Sequence, residues 1–272
     1  MPAPDPNRPP LDATAIAKAV GPRWRLEVVE ASPSTNADVA RRARAGEPAG
    51  LVLVAEHQTA GRGRLDRAWV TPPRAALTAS LLVDPGAVPP GRWPWLPLLT
   101  GVVVADAVRE VTGLAARLKW PNDVLVAEAG EMRKVAGLLV ELADRPAGTA
   151  AVVGVGLNVS STREELPVET ATSLALAGAD ALDRAALLLA LLRGFGRRFD
   201  TWLADGGGGL RTSYVAACST LGREVRVDLP EGRVLDGQAV DVDADGRLLV
   251  DDGARVHALG AGDVVHVRST AG

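Results

Sequence analysis

Apolar positions recur at every second residue in "AALTASLLV" (75 to 83), where Leu77, Ala79, Leu81 and Val83 share one face of a predicted strand. Short strands are also expected in "RLEVVE" (25 to 30), "GLVLVAEHQ" (50 to 58), "ARLKW" (116 to 120), "DVLVA" (123 to 127), "VAGLLVELA" (135 to 143) and "AAVVGVGLNV" (150 to 159). Helical patterning takes over in four places. "DATAIAKAV" (12 to 20) is a short helix capped by Asp12 or Thr14. "STNADVARRARAG" (34 to 46) opens on hydroxyl and amide caps and runs to Gly46. A mostly apolar helix from Leu96 to Val111 is expected to be buried on most sides, and a further one runs from Asp183 to Leu203. The glycine run "DGGGG" (205 to 209) then reads as a stop and hinge, or as a loop. "AEAGEM" (127 to 132) is a hairpin turn. Hairpin-length links exclude parallel crossovers, so the pattern predicts an α+β fold with a mixed, mostly antiparallel sheet.

The pattern changes after Leu221. "REVRVDL", "GQAVDVDADGRLLVDDG", "ARVHALG" and "GDVVHVR" are short strands split by Asp-Gly and Gly turns, which predicts a small β-barrel. The two Asp-Gly turns lack the spacing of a calcium loop. Three parts are expected: a flexible N-terminal tail with a short helix (1–22), a main domain (23–217) and the small barrel (218–272). The proline-rich start "MPAPDPNRPP" is read as a disordered tail, and the single helix after it is too short for a helix-turn-helix domain.

Composition narrows the function classes. The chain has 272 residues, 47% of them hydrophobic and 23% charged, with a net charge of −3, which describes a soluble globular protein and does not support general nucleic-acid binding. Cys218 is the one cysteine, which excludes an internal disulfide and a thiolate metal cluster and fits a cytoplasmic protein. No uncharged apolar run is long enough to span a membrane. Of 30 basic residues only Lys18, Lys119 and Lys134 are lysines, and the last two fall in the densest motif region. A compact ammonium reaching into a polar pocket is harder to replace by arginine than one on a solvated face.

Candidate chemistry lies in five segments. "TAGRGRLDRAW" (59 to 69) crowds Arg62, Arg64 and Arg67 beside Trp69, with Gly61 and Gly63 for mobility. The loop is either a solvated surface turn or an anion-holding loop that closes on a ligand. "LKWPNDV" (118 to 124) offers Lys119 to phosphate oxygens and Asn122 and Asp123 to Mg²⁺, or else is an Asx turn after proline. In "RKVAGLLVE" (133 to 141), Lys134 is an edge charge or a ligand, and Gly137 permits close backbone approach. "GVGLNV" (154 to 159) puts strand glycines before Asn158, and "SPSTN" (32 to 36) is a helix cap whose hydroxyls could also face a polar ligand. His57, His257 and His266 do not cluster, and no serine sits in a nucleophile elbow. Cations around a glycine loop with no nucleophile favour electrostatic work on phosphate.

These segments together, "STN", "AEHQTAGRGRLDRAW", "LKWPNDVLV", "RKVAGLLVE" and "GVGLNV", resemble the biotin–protein ligases, in order and spacing over residues 30 to 160. The resemblance implies a class II synthetase-like catalytic domain over 23–217 and an SH3-like barrel over 218–272. It implies an ATP-dependent enzyme that makes biotinyl-5'-adenylate and then biotinylates a lysine of a biotin carboxyl-carrier domain of an acyl-CoA carboxylase. Ser34, Thr35, Asn36, Gln58, Gly61, Arg62, Arg64, Lys134 and Gly137 are then the expected biotin-binding residues. Arg64, Trp69, Lys119, Asn122, Gly156 and Asn158 are expected on the ATP and adenylate side, Arg64, Lys119 and Lys134 as catalytic groups, and Asp123 toward Mg²⁺. A monomer or weak homodimer is implied. Some relatives carry an N-terminal winged helix and repress transcription; with about 25 residues before the first strand, DNA binding is not expected. Lipoate or octanoate attachment on the same fold, and a non-catalytic nucleotide-binding module, remain as alternatives.

Overall fold

In the computed structural model, which describes residues 8–64, 67–206, 208–229, 232–260 and 262–266, the first sheet has seven strands. They are β1 (Arg25–Val29), β2 (Leu51–Ala55), β5 (Ala76–Val83), β6 (Ala116–Lys119), β7 (Asp123–Glu128), β8 (Glu131–Arg145) and β9 (Gly148–Asn158), in the order β1-β2-β5-β9-β8-β7-β6. Only β1 and β2 run parallel, because helix α2 (Thr35–Arg44) crosses between them; every other neighbour is antiparallel, as the short links require. The β7–β8 link is a two-residue turn in which Ala129 and Gly130 both have positive φ, within the hairpin expected at 127–132.

Strand periodicity sends alternate side chains to two apolar cores. Leu51, Leu53, Leu82 and Val152 pack with Val39, Ala40 and Ala43 of α2 on one face. Val52, Val54, Leu81 and Val153 point the other way, toward α1 (Ala13–Val20), α3 (Trp95–Thr112) and α4 (Arg184–Asp205). The apolar α3 is buried along most of its length, and Asp183 caps α4 by accepting from Ala185 N at 2.8 Å and Ala186 N at 3.0 Å. Within the glycine run, residue 207 lies outside the described residues, and Gly208 opens a helix, α5 (Gly208–Ala217), that the sequence pattern did not predict.

The second sheet corrects one expectation. Strands β10 (Glu224–Asp228), β11 (Val234–Val242), β12 (Leu248–Asp251), β13 (Val256–Leu259) and β14 (Asp263–His266) form an antiparallel sheet in the order β13-β12-β11-β10-β14. Among the described residues no ladder joins β13 to β14, so the sheet stays open and forms no SH3-like barrel. Closure requires edge strands whose registers meet, and both edges are only four residues long. Nor does burial demand it. Val225, Val227, Val242, Leu248, Val250 and Val264 join the main core instead of enclosing one of their own. Trp95 Nε1 donates to Ala244 O at 2.7 Å, and Trp120 Nε1 to Gly246 O at 3.2 Å, tying the sheet to the body.

Of the stretch expected as a tail, residues 1–7 lie outside the described residues. Arg8 is buried and pairs with Glu165 at 2.7 Å. Pro9 O accepts from Arg184 at 2.6 Å, and Leu11 N donates to Glu56 Oε1 at 2.6 Å. Arg184 and Glu56 themselves form a buried ion pair at 2.6 Å, so the chain entering α1 is fastened to the end of β2.

Candidate active site

The end of β2, the segment after it, and the facing ends of β6, β7, β8 and β9 surround a cleft of about 1140 Å³. Two short strands shape its roof. Gly61–Arg62 (β3) pairs antiparallel with Ala68–Trp69 (β4), so the arginine segment is a small hairpin and not a free loop; Leu65 and Asp66, between the strands, lie outside the described residues. This pairing swings Trp69 over the sheet. A Cβ on Gly156 would lie 2.5 Å from Trp69 Cε2, and one on Gly137 would lie 3.1 Å from Trp69 Cζ3 and 3.1 Å from Lys134 Cε. Glycine at both positions is what lets the indole lie against the strands. Gly61 is buried within this hairpin, close to Gln58, and does not line the cleft.

At one end of the cleft the N-terminus of α2 meets β2 and β5. Gln58 Oε1 accepts from Thr35 N at 2.8 Å and Thr35 Oγ1 at 3.0 Å. Ser80 lies beneath, 2.8 Å from Thr35 Oγ1 and 2.6 Å from Asn36 Oδ1. Asn36 Nδ2 donates to Glu141 Oε2 at 2.8 Å, and Ser34 Oγ caps α2 by accepting from Ala37 N. Ser80 and Glu141 were not singled out from sequence. The available signal was a hydroxyl inside the apolar run of β5: a fully buried serine needs a partner, and here it orients two others.

At the other end the cations gather. Lys134 Nζ pairs with Asp123 Oδ1 at 2.6 Å and lies 6.0 Å from the centroid of the Trp69 ring. Arg64 Nη1 donates to Asn122 Oδ1 and to Gly262 O, both at 3.2 Å, while Asn122 Nδ2 donates to Leu138 O at 3.0 Å. Arg67 pairs with Asp263, and Arg62 stays exposed at the rim of the cleft. Burial lowers the pKa of Arg64, and Asp263 and Asp123 offset this only partly. Burial likewise lowers Lys119, against the pull of the same two carboxylates. Two cations drawn out of water with too few carboxylates around them make a site that is completed by an anion.

The second sheet contributes as well. Asp263 and His266 line the cleft, and His266 Nε2 is 3.1 Å from Thr220 Oγ1. Burial first, then Lys119 and Arg223, lower His266 to about 4, so it is neutral at neutral pH. Sequence placed His266 in no cluster; its strand ends on the side of the cleft where the cations gather. Trp69 Nε1 and Asn158 Oδ1, also at the cleft, are buried without a hydrogen-bond partner among the described residues, one a donor and the other an acceptor. Asn158 Nδ2 is held by Thr172 O at 2.9 Å. Of the residues expected to bind biotin, nucleotide or metal, all but Gly61 line this one cleft. Cys218 does not: it bridges to Leu118 in the adjoining wall, and burial raises its thiol pKa.

An α+β fold whose glycine–arginine hairpin covers a cleft holding Arg64, Lys119 and Lys134 presents a site suited to anions. The profile of the Biotin/lipoate A/B protein ligase family matches residues 28–158, and that of the Biotin protein ligase C terminal domain matches residues 220–267. The biotin–[acetyl-CoA-carboxylase] ligase of Mycobacterium tuberculosis is 42% identical over 269 residues, covering 96% of this chain and 97% of the relative. The bifunctional ligase/repressor BirA of Bacillus subtilis is 29% identical over 80% of this chain, which spans 66% of that protein's length. Among solved structures, the biotin protein ligase of Aquifex aeolicus in complex with biotin and ATP superposes with a TM-score of 0.75 at 29% identity, over 90% of this chain and 99% of that one. The chain belongs to the biotin protein ligase family.

Proposed function

We propose that this chain, an ATP- and biotin-dependent protein ligase, biotinylates a lysine of a biotin carboxyl-carrier domain of an acyl-CoA carboxylase, with the residue roles that follow. One observation carries the roles: Arg64 and Lys119 are desolvated cations that share Asp123 with Lys134 in a single cleft. In the first step a biotin carboxylate oxygen attacks the α-phosphorus of ATP, the bond to the pyrophosphate oxygen breaks, and biotinyl-5'-adenylate forms. Two anions must approach each other. Lys134 faces the carboxylate and the phosphoryl oxygens, Lys119 faces the phosphates, and Arg64 bridges carboxylate and phosphate, so the charge that spreads in the transition state meets fixed cations. In the second step the lysine nitrogen, having lost its proton, attacks the acyl carbon, and AMP leaves with the anhydride oxygen.

The hydroxyl and amide group of Ser34, Thr35, Asn36 and Gln58, with Arg62 and Gly137 around it and Gly61 packed close to Gln58, takes the polar end of biotin. Trp69, Asn122, Gly156 and Asn158 take the nucleotide. The unpartnered indole N–H and amide oxygen supply a donor and an acceptor for it. For Mg²⁺, Asp123 is the carboxylate at the cations, and no group of three metal-ligating side chains occurs among the described residues. That donor set suits an ion held mainly by the substrate phosphates, with Asp123 and Asn122 completing its shell. Bound there, Mg²⁺ would neutralise phosphate charge.

Among the described residues no helix is long and apolar enough to cross a membrane, and we place the reaction in the cytoplasm. Residues 139–145 of β8 pair with β9 on one side only, an edge on which a weak homodimer could form, the monomer being the other state in this reading. Thioester-based octanoyl transfer fits less well, because the one cysteine has a raised pKa and lies outside the cleft. The test is direct: supply ATP, Mg²⁺, biotin and a carrier domain, and measure biotin-dependent pyrophosphate release and labelled carrier. Loss of both overturns the proposal, and labelling with lipoate in place of biotin would favour the other branch of the family.

A further inference from the structure

Three strands meet under the hydroxyl end of the cleft. The sheet register sets Ser80 of β5 opposite Gly154 of β9, and Gly154 opposite Leu139 of β8, so the three lie side by side. The Asn36 amide rests on Gly154, where any Cβ would lie 2.9 Å from its Cγ. Asn36 Nδ2 donates to Leu139 O at 3.2 Å and to Glu141 Oε2 at 2.8 Å. A carbonyl and a carboxylate only accept, so they hold the amide nitrogen on their side and turn Oδ1 toward Ser80. Ser80 has one proton. Asn36 Oδ1 takes it at 2.6 Å, which leaves the Ser80 lone pairs to Thr35 Oγ1 at 2.8 Å. Gln58 Oε1 is fixed as an acceptor by Thr35 N. Both protein neighbours of the Thr35 hydroxyl are then acceptors, so its one proton stays inside the network and its oxygen is left to accept from the cleft. Gln58 Nε2 makes no hydrogen bond among the described residues and is left as a donor.

A donor beside an acceptor fits a cyclic urea, whose carbonyl accepts and whose N–H groups donate. A fatty chain or a dithiolane ring offers neither and leaves both protein groups unpaired, the case in which a polar site discriminates most strongly. Neither Ser80 nor Glu141 lines the cleft, so neither reaches the substrate itself. We propose that Glu141, acting through Asn36 and Ser80, sets the donor and acceptor pattern with which Thr35 and Gln58 meet the urea of biotin. Glu141 and Ser80 are thus positioning residues that govern substrate selection, and the Asn36 side chain serves the same network. This rests on the ligase reading above, in which that end of the cleft takes the polar end of biotin.

Biotin-dependent ATP–pyrophosphate exchange in the full chain tests this. In Ser80→Ala and Glu141→Leu the KM for biotin is expected to rise about tenfold, the scale of one hydrogen bond lost with its partner left unpaired, while kcat and the KM for ATP stay within about twofold. Glu141→Gln, which keeps an acceptor oxygen for Asn36 Nδ2, is expected to retain the parent KM. The double variant Ser80→Ala/Glu141→Leu is expected to fall within about twofold of the poorer single one, because both changes break one chain of hydrogen bonds. A merely structural role would move kcat and the KM for ATP as well, and the two effects would multiply in the double variant; either result overturns the proposal. So does an unchanged biotin KM in Ser80→Ala and Glu141→Leu. Should Ser80→Ala fail to fold, Glu141→Leu against Glu141→Gln decides alone, and equal KM values overturn the proposal. Thr35→Val separates this from the reading beneath it. A raised biotin KM there, with parent values in the Ser80 and Glu141 variants, overturns the proposal alone. A parent KM in Thr35→Val removes biotin from this end of the cleft, and the proposal falls with that assignment. If the parent itself shows no biotin-dependent exchange, the ligase reading fails.

Discussion

Lys134 is the residue on which most of the site converges. It begins the apolar part of β8, is bracketed by the backbone of the 170–172 segment, and reaches Asp123 on the neighbouring strand. Lys134 N donates to Thr170 O at 2.9 Å and Thr172 N donates to Lys134 O at 2.8 Å, so its backbone has little freedom. A positioned ammonium at a reacting centre contributes far more than the same charge in water, because the site is already organised. Lys134→Ala is therefore expected to slow adenylate formation by at least about 100-fold, measured as biotin-dependent pyrophosphate exchange. A rate close to the parent's would remove Lys134 from the reaction. That Lys134 and Lys119 were candidates for one cleft was legible from the scarcity of lysine in an arginine-rich chain. That they share Asp123 was not, because the β6–β7 and β7–β8 registers bring Lys119 opposite Asp123 and Asp123 opposite Gly137.

Among elements, the strands and long helices were legible wherever the apolar period continued for a full element, as in β5 and α3. Two kinds of element were not. Helix α5 starts inside a glycine run that reads as a breaker, and its place is fixed by packing against α3 and α4. Strands β3 and β4 are two residues each, too short for any period, and exist because the hairpin pairs across the arginines. The chain leading into α1 shows a third case, a buried ion pair acting as a fastener. Removing one member of such a pair leaves a charge without its partner and costs about 3–5 kcal/mol. Arg184→Met is expected to lower the denaturant midpoint by a stability loss of that size, with an unchanged m-value, since it also frees Pro9 O and unpairs Glu56. A loss no larger than that of an exposed substitution would show that the pair adds nothing to stability.

At the scale of the whole molecule, the open second sheet lends residues to the cleft, and this has a consequence for pH. His266 protonates near 4 in the folded chain and near 6.5 when unfolded, so between those values the unfolded chain binds more protons. Stability is thus complete above 6.5 and declines as the pH falls toward 4. Glu47 and Glu128, both lowered from 4.5, add to the decline only below that value, which leaves the upper part of the window to His266. His266→Gln is expected to flatten the fall in urea midpoint between pH 6.5 and pH 5, measured against the parent chain, because this imidazole titrates over the window from 6.5 to about 4. An unchanged slope would show that burial of this imidazole does not couple to folding.

The sequence alone determined the α+β class, the mixed sheet, the position of the longer strands and the crowding of arginine and lysine into a few motif segments. These follow from local periodicity, turn chemistry and residue type, all of which act over a few neighbours along the chain. Tertiary structure alone decided that the last sheet stays open, that its edge strand faces the cations, and that Ser80 and Glu141 lie under the hydroxyl end of the cleft. Each of these depends on which distant apolar surface is available for burial, and a short stretch of sequence does not contain that information.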